Sequence, residues 1–172
     1  IQNKKNLGPG LSRDRAIERA SGSWVAFIDA DDAWRPERLE RLLNGVRDYP
    51  NSIIFDDLKI CHSADGKLIP WRSVHGSVAF GGKGTATREL KVENYITSPR
   101  LVIQPMIPMA AIKKYNLKHS SRPFGEDAEY YLRLAFSGVG FCYLPEPLYL
   151  YRVQPGSATS KAGIEEMRKC IQ

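Results

Sequence analysis

Trp24-Val25-Ala26-Phe27-Ile28-Asp29-Ala30-Asp31-Asp32 is a short run of apolar, strand-forming residues that ends in three carboxylates within four positions. A run of this length and composition reads as a buried strand of a parallel or mixed sheet. In open α/β sheets ligands bind in the crevice beyond the carboxyl ends of the strands, which is where these acids fall. Asp29 and Asp31 have period-two spacing, so if the extended chain continues through them they share a face, about 7 Å apart. Acids so close repel one another unless a cation sits among them. A hard divalent ion, held by one or two carboxylates and completed by substrate phosphates, is the expected occupant. The structural alternative is that Asp-rich strand ends also make turns and helix caps, and a helix with Pro36 in its first turn follows. An EF-hand loop starting at Asp29 fails, because Ala33 and Trp34 stand where an oxygen ligand and a glycine are needed.

The chain has 172 residues, 42% hydrophobic and 26% charged, enough for a single domain, residues 1–172, with a real core. No apolar run approaches the roughly 20 residues that span a bilayer, and Ile1 leads into a polar loop rather than a signal peptide. Starting without Met, the sequence reads as an N-terminally truncated fragment. A net charge of +6 favours anionic partners without choosing between nucleotides, phospholipid head groups and nucleic acid. Cys61, Cys142 and Cys170 are odd in number and lack metal-ligand spacing, so reduced thiols in a cytoplasmic setting are expected.

Before the acidic stretch, Asn6 to Ser12 reads as a turn-rich loop, with Ser12 capping a helix over 13–20. Ala16, Ile17 and Ala20 form its apolar positions, and Arg13 is the charge placed nearest the acidic strand end. After it, 36–49 reads as an amphipathic helix with Leu39, Leu42, Leu43 and Val46 on one side. Residues 52–60 form a strand pattern in which Asp56-Asp57 is expected to mark an exposed edge. Ala64-Asp65-Gly66-Lys67 reads as a hairpin turn into 68–71. The Gly-rich segment 72–87 lacks the ending of a P-loop and reads as a mobile surface loop. A helix over 88–95, a strand over 100–104, a short helix through Lys114, strands over 139–144 and 148–151 and a charged helix over 164–169 complete the pattern. His62, His75 and His119 are scattered singly and predict no triad or zinc site.

The second chemical centre is Gly125-Glu126-Asp127-Ala128-Glu129, where a glycine turn opens a helix with three acids in its first turn. The helix dipole favours acids there. A carboxylate fixed at a helix start and crowded by like charges is equally suited to be a general base. The residues alone leave both readings open.

Taken together, Asn6-Leu7-Gly8, the helix with Arg13, the stretch from Ala20 to Trp34, Gly125-Glu126-Asp127 through Arg133, and Tyr149-Leu150-Tyr151-Arg152 followed by Ser157 resemble the family 2 glycosyltransferases. The resemblance implies an α/β fold, a partial GT-A (Rossmann-like) mixed sheet flanked by helices. It implies inverting transfer of a sugar from a nucleotide-diphosphate donor, usually UDP-linked, to a saccharide or lipid-linked acceptor in polysaccharide biosynthesis. On that pattern Asp29 lies near the donor's ribose or sugar, and Asp31, assisted by Asp32, holds Mn²⁺ or Mg²⁺ against the diphosphate. Asp127 is the catalytic base with Glu126 beside it, Arg152 approaches the diphosphate on a closing loop, and Arg13 belongs to the donor side.

Asp14 stands where the family usually has Asn. The family's first strands, with an Asp-Asp-Gly-Ser-type turn that grips base and ribose, would precede Ile1. The sequence therefore predicts weak binding of UDP with Mn²⁺ by the chain alone, and open sheet edges that invite a homodimer. Cytoplasmic placement at the inner face of a membrane, with peripheral association, follows from the family and the basic charge. Two other functions fit parts of the pattern: a non-catalytic anion or nucleic-acid binder, and a metal-dependent phosphohydrolase using Asp29 and Asp31. Lys and Arg are spread out, without interleaved aromatics, which argues against nucleic acid as partner.

Overall fold

A computed structural model of the chain describes residues 2–65, 67–74, 86–97, 102–122 and 125–153. In chain order the elements are α1 (Gly8–Ile17), β1 (Trp24–Ala26), β2 (Ala33–Trp34), α2 (Arg38–Gly45), β3 (Ser52–Ala64), β4 (Lys67–Ser73), β5 (Arg88–Leu90), α3 (Val92–Ile96), β6 (Met106–Pro108), α4 (Met109–Tyr115), α5 (Glu126–Phe136) and β7 (Gly140–Val153). They form a mixed sheet of order β1-β6-β3-β7-β2, with β4 paired to the outer half of β3 and β5 to β7. Strand β6 runs antiparallel to both β1 and β3, and β3 runs parallel to β7. Three strands, β1, β3 and β7, therefore point the same way. Ala26 and Ile54 both lie opposite Met106, so Asp29 sits just past the carboxyl edge while β3 and β7 run on beyond it.

Strand β3 explains why its sequence is apolar without alternating. Ile53 and Phe55 enter a core with Tyr95, Ile107, Tyr130, Tyr131 and Phe141, whereas Ile54 packs on the other face with Leu42, Val46, Met106 and Leu144. Both faces are covered, so neither needs polar residues. Asp56 and Asp57 are consequently buried, at 1% and 2% exposure. The expected exposed edge is overturned: residues 52–58 pair with β7, Ile54 also pairs with β6, and Arg38 covers Asp56.

Other boundaries differ from the expectation for local reasons. Regular strand geometry ends at Ala26, and the Asp32 N–H donates to the Asp29 carbonyl at 3.0 Å, closing a turn. Asp29 and Asp31 therefore do not share a pleated face. Helix α1 starts at Gly8, with Pro9 in its first turn where a missing N–H costs nothing. The Ser12 hydroxyl donates back to the Gly8 carbonyl at 2.6 Å and caps nothing. The buried residues of α1 are Gly10 and Asp14, while Ala16 and Ala20 face solvent.

In α2 and the turn after it, Arg38, Leu42 and Val46 turn inward at intervals of four, leaving Leu39 and Leu43 exposed. The helix expected over 88–95 is strand β5 followed by α3. Of the strand expected over 100–104, residues 102–104 are not in a strand, which is found at Met106–Pro108, and residues 100 and 101 lie outside the described residues. The two expected C-terminal strands are one strand, β7, whose register against β3 shifts around Asp57. The hairpin turn is present at Asp65, which adopts a left-handed φ of 48°. The loop expected over 72–87 falls mostly outside the described residues, as do the helix over 164–169, His75, Cys170 and Ser157.

Candidate active site

Two elements bring the acidic stretch and the distant acidic turn together. Helix α1 packs directly on the start of α5: a Cβ added to Gly10 would lie 2.9 Å from the Ser120 carbonyl oxygen and 3.2 Å from Glu126 Cγ. Only glycine permits that approach. Gly125, with φ 73°, then turns the chain into α5. One turn along α1, the Arg13 guanidinium donates to Glu126 Oε1 at 2.5 Å and to Asp29 Oδ1 at 3.2 Å. A single cation thus spans the acids after β1 and the acids opening α5. Its neighbour Asp14 grips the approach to α5 from the other side. Both Asp14 oxygens accept from the His119 N–H at 3.1 and 3.2 Å, and Oδ1 lies 2.6 Å from His119 Nδ1. His119 stacks on Tyr130 at 4.1 Å and is a buried structural residue.

The three acids of the α5 turn have different partners. Glu126 is buried on Arg13, and Glu129 pairs with Arg133 at 3.2 Å one turn along the helix. Asp127 accepts the Ala128 N–H at 2.7 Å. Its carboxyl is pushed above the ordinary range, first by burial and then by the Glu126 charge, with the Ala128 N–H and Arg13 pulling the other way. That direction makes it a stronger base.

On the other side, Asp29 Oδ2 accepts from the Gln104 side-chain amide at 3.3 Å, and the Asp29 N–H donates to the Tyr149 hydroxyl oxygen at 3.3 Å. The Tyr149 hydroxyl donates to Asp32 Oδ2 at 2.7 Å, and the Arg152 N–H donates to Asp32 Oδ1 at 2.8 Å. Asp32 therefore locks the end of β7 against the acidic turn. Burial raises its pKa to about 6, opposed by the Arg152 and Tyr149 donors and reinforced by the nearby charges of Asp31 and Asp29. Arg152 Nε is buried without a hydrogen-bond partner among the described residues. Of these contacts, the sequence singled out Asp29, Asp32, Glu126, Asp127, Arg13 and Arg152 but missed Gln104 and Tyr149. Tyr149 lay inside the quoted Tyr-Leu-Tyr-Arg element. Gln104 had only its position at the end of an apolar run to mark it.

The raised Asp32 carboxyl has a consequence for stability. The folded chain binds a proton there that the unfolded chain has released, so the contribution of this group falls as pH rises from 3.8 to about 6. In metal-free buffer, the melting temperature of the wild type relative to Asp32→Asn is expected to fall across that interval and to level off above it. A difference that is flat with pH would show that Asp32 titrates normally.

A metal can be held here only in a particular way. Among the described residues no three His, Cys, Asp or Glu side chains converge as a ready-made cage. Mg²⁺ and Mn²⁺ do not need one when substrate phosphates complete their shell. A cation here would rest on one or two carboxylates of the Asp29–Asp32 turn and on the diphosphate it arrives with.

The model of glycosyl transferase family 2 matches residues 1–106, more than half of the chain. An uncharacterized glycosyltransferase, MJ1057, of Methanocaldococcus jannaschii is 25% identical over 156 residues, covering 89% of this chain and 50% of that protein. The succinoglycan biosynthesis protein ExoO of Rhizobium meliloti is 38% identical over 65 residues, covering 38% of this chain and 18% of that protein. Among solved structures, that of S. aureus TarS (residues 1–349) in complex with UDP-GlcNAc superposes with a TM-score of 0.73 at 21% identity, over 95% of this chain and 44% of that one. The likeness to TarS is one of fold, the GT-A arrangement of a mixed sheet flanked by helices. The chain thus spans half or less of the proteins it matches, and by the family match it belongs to glycosyl transferase family 2.

Proposed function

We propose that this chain carries the diphosphate end and the acceptor side of a site that transfers a sugar, with inversion, from a nucleoside-diphosphate sugar to a hydroxyl group. The observation that carries the reading is the Arg13 bridge between Asp29 and Glu126. It supports a common cleft for the donor's acids and for Asp127, the candidate base. In the reaction Asp127 takes the acceptor O–H proton, the acceptor oxygen forms a bond to the anomeric carbon, and the bond from that carbon to the diphosphate oxygen breaks with its electron pair leaving on the diphosphate. Charge grows on the leaving group, so the site needs positive charge there. Arg152, whose Nε has no hydrogen-bond partner among the described residues, is suited to that task. Asp31, with Asp29 and Asp32, would hold Mn²⁺ or Mg²⁺, which supplies Lewis-acid stabilisation of the departing diphosphate.

The resemblance and the UDP-GlcNAc named for TarS favour a UDP-linked donor. The naming of ExoO for succinoglycan biosynthesis favours a saccharide or lipid-linked acceptor in polysaccharide assembly. No helix of the described residues is long and apolar enough to cross a membrane; the net charge of +6 would aid peripheral contact with a membrane that carries a lipid-linked acceptor.

Titration of the intact protein with UDP and Mn²⁺ tests the donor side. Asp31→Asn is expected to weaken Mn²⁺-dependent UDP binding at least tenfold, about 1.4 kcal/mol, with an unchanged circular dichroism spectrum. Wild-type affinity in that variant would remove Asp31 from the metal role.

A further inference from the structure

Arg38 is fully buried, at 0% exposure, and has no part in the chemistry assigned above. We propose that Arg38 is a positioning residue of the transfer site, setting Asp29 through Gln104 and Asp32 through Tyr149. The proposal rests on reading the site as one for sugar transfer.

Its geometry joins both acids to one cation. Arg38 Nη2 donates to Asp56 Oδ1 at 2.7 Å, and Nε lies 3.1 Å from each Asp56 oxygen. Nη2 also donates to the Gln104 carbonyl oxygen at 2.5 Å, and the amide of that same residue donates to Asp29. The guanidinium lies 4.6 Å from the Trp34 ring centroid and 5.0 Å from that of Tyr149. The Tyr149 hydroxyl is the donor to Asp32. Each path from Arg38 to an acid therefore passes through one residue only. Asp56 fixes the guanidinium in turn, accepting the Leu148 N–H where β7 departs from regular register.

Stability gives a poor reason for this arrangement. Taking a guanidinium out of water costs several kcal/mol, and apolar replacements of a buried ion pair are often neutral or stabilising. Arg38 Nη1 is, in addition, buried without a hydrogen-bond partner among the described residues. What the pair supplies is a planar, forked, stacking cation that orients two neighbours at once. Lysine, a point charge on a flexible stem, cannot do that.

The test replaces the ion pair by apolar residues, Arg38→Met with Asp56→Leu, in the intact protein. The readouts are thermal unfolding and titration with UDP and Mn²⁺. The unfolding midpoint is expected to stay near that of the wild type, with UDP bound at least tenfold more weakly. A folded double variant with wild-type affinity would reduce Arg38 to a structural brace and overturn the proposal. Should the double variant not fold, Gln104→Leu and Tyr149→Phe each cut one path while leaving Arg38 and Asp56 in place. Each is expected to weaken UDP binding several-fold, and wild-type affinity in both would overturn the proposal equally. Absence of Mn²⁺-dependent UDP binding by the wild type would instead overturn the transfer-site reading itself.

Discussion

Asp127→Asn is expected to lower the rate of sugar transfer by about 10²–10⁴, the range typical of a lost general base, while UDP and Mn²⁺ bind as before. Asparagine keeps the size of the side chain and its oxygen can still accept the Ala128 N–H, which Asp127 receives at 2.7 Å. It cannot take a proton from the acceptor hydroxyl. The fold should tolerate the change, since an acid in the first turn of a helix contributes only about 0.3–1 kcal/mol. Part of that is returned, because Asp127 is buried beside Glu126 and its charged form is disfavoured. The same disfavour gives the wild-type reaction a signature in pH. Turnover requires ionised Asp127, so activity should be full above its raised pKa and decline as pH falls through it, at a higher pH than an ordinary aspartate would give. Initial rates across pH, with substrate near saturation, measure this. Near-normal turnover in Asp127→Asn would transfer the assignment to another carboxylate. Glu129 is ill placed to take it, being paired with Arg133.

The parts of this site that sequence could reach are those whose signal is local. The acids of 29–32 stand out because an apolar run precedes them, and those of 126–129 because a glycine does. The Asp65 turn is read from four consecutive residues. What remained hidden depends on partners far along the chain. Arg38 sits in the first turn of a helix, where a charge ordinarily faces water, and nothing near it reveals Asp56 on a central strand or the Gln104 carbonyl beyond. Asp56-Asp57 is opaque for the same reason: two acids in a strand suggest an edge until their pairing with β7 and the cover of Arg38 are known. Nothing in the unbroken apolar run from Leu148 to Tyr151 reveals that the Tyr149 hydroxyl meets Asp32, 117 residues earlier. Strand β1 was overextended because Phe27 and Ile28 are good strand formers. The turn from Asp29 to Asp32 overrides that propensity.

Removing the bridge between the two acidic centres should cost both stability and turnover. Arg13 is 15% exposed in its side chain, Glu126 7% and Asp29 39%. The Asp29 arm is therefore partly screened by solvent, and the Glu126 arm dominates. Arg13→Met keeps the aliphatic stem in place but leaves Glu126 buried with no cation. Breaking a buried pair in this one-sided way costs about 3–5 kcal/mol, and the residual access of water to Arg13 puts the expected loss near the lower end. Urea unfolding measures it. Transfer should fall further than stability alone requires, because Arg13 also moderates the charge felt by Asp127 and ties α1 to the turn that carries the base. The double variant Arg13→Met/Glu126→Gln separates the two effects. It removes the stranded charge, so stability should largely return, whereas turnover should stay low because no cation remains between Asp29 and the α5 turn. Recovery of turnover along with stability would mean that Arg13 only holds the fold, and that the acids on either side of it reach their working positions without it.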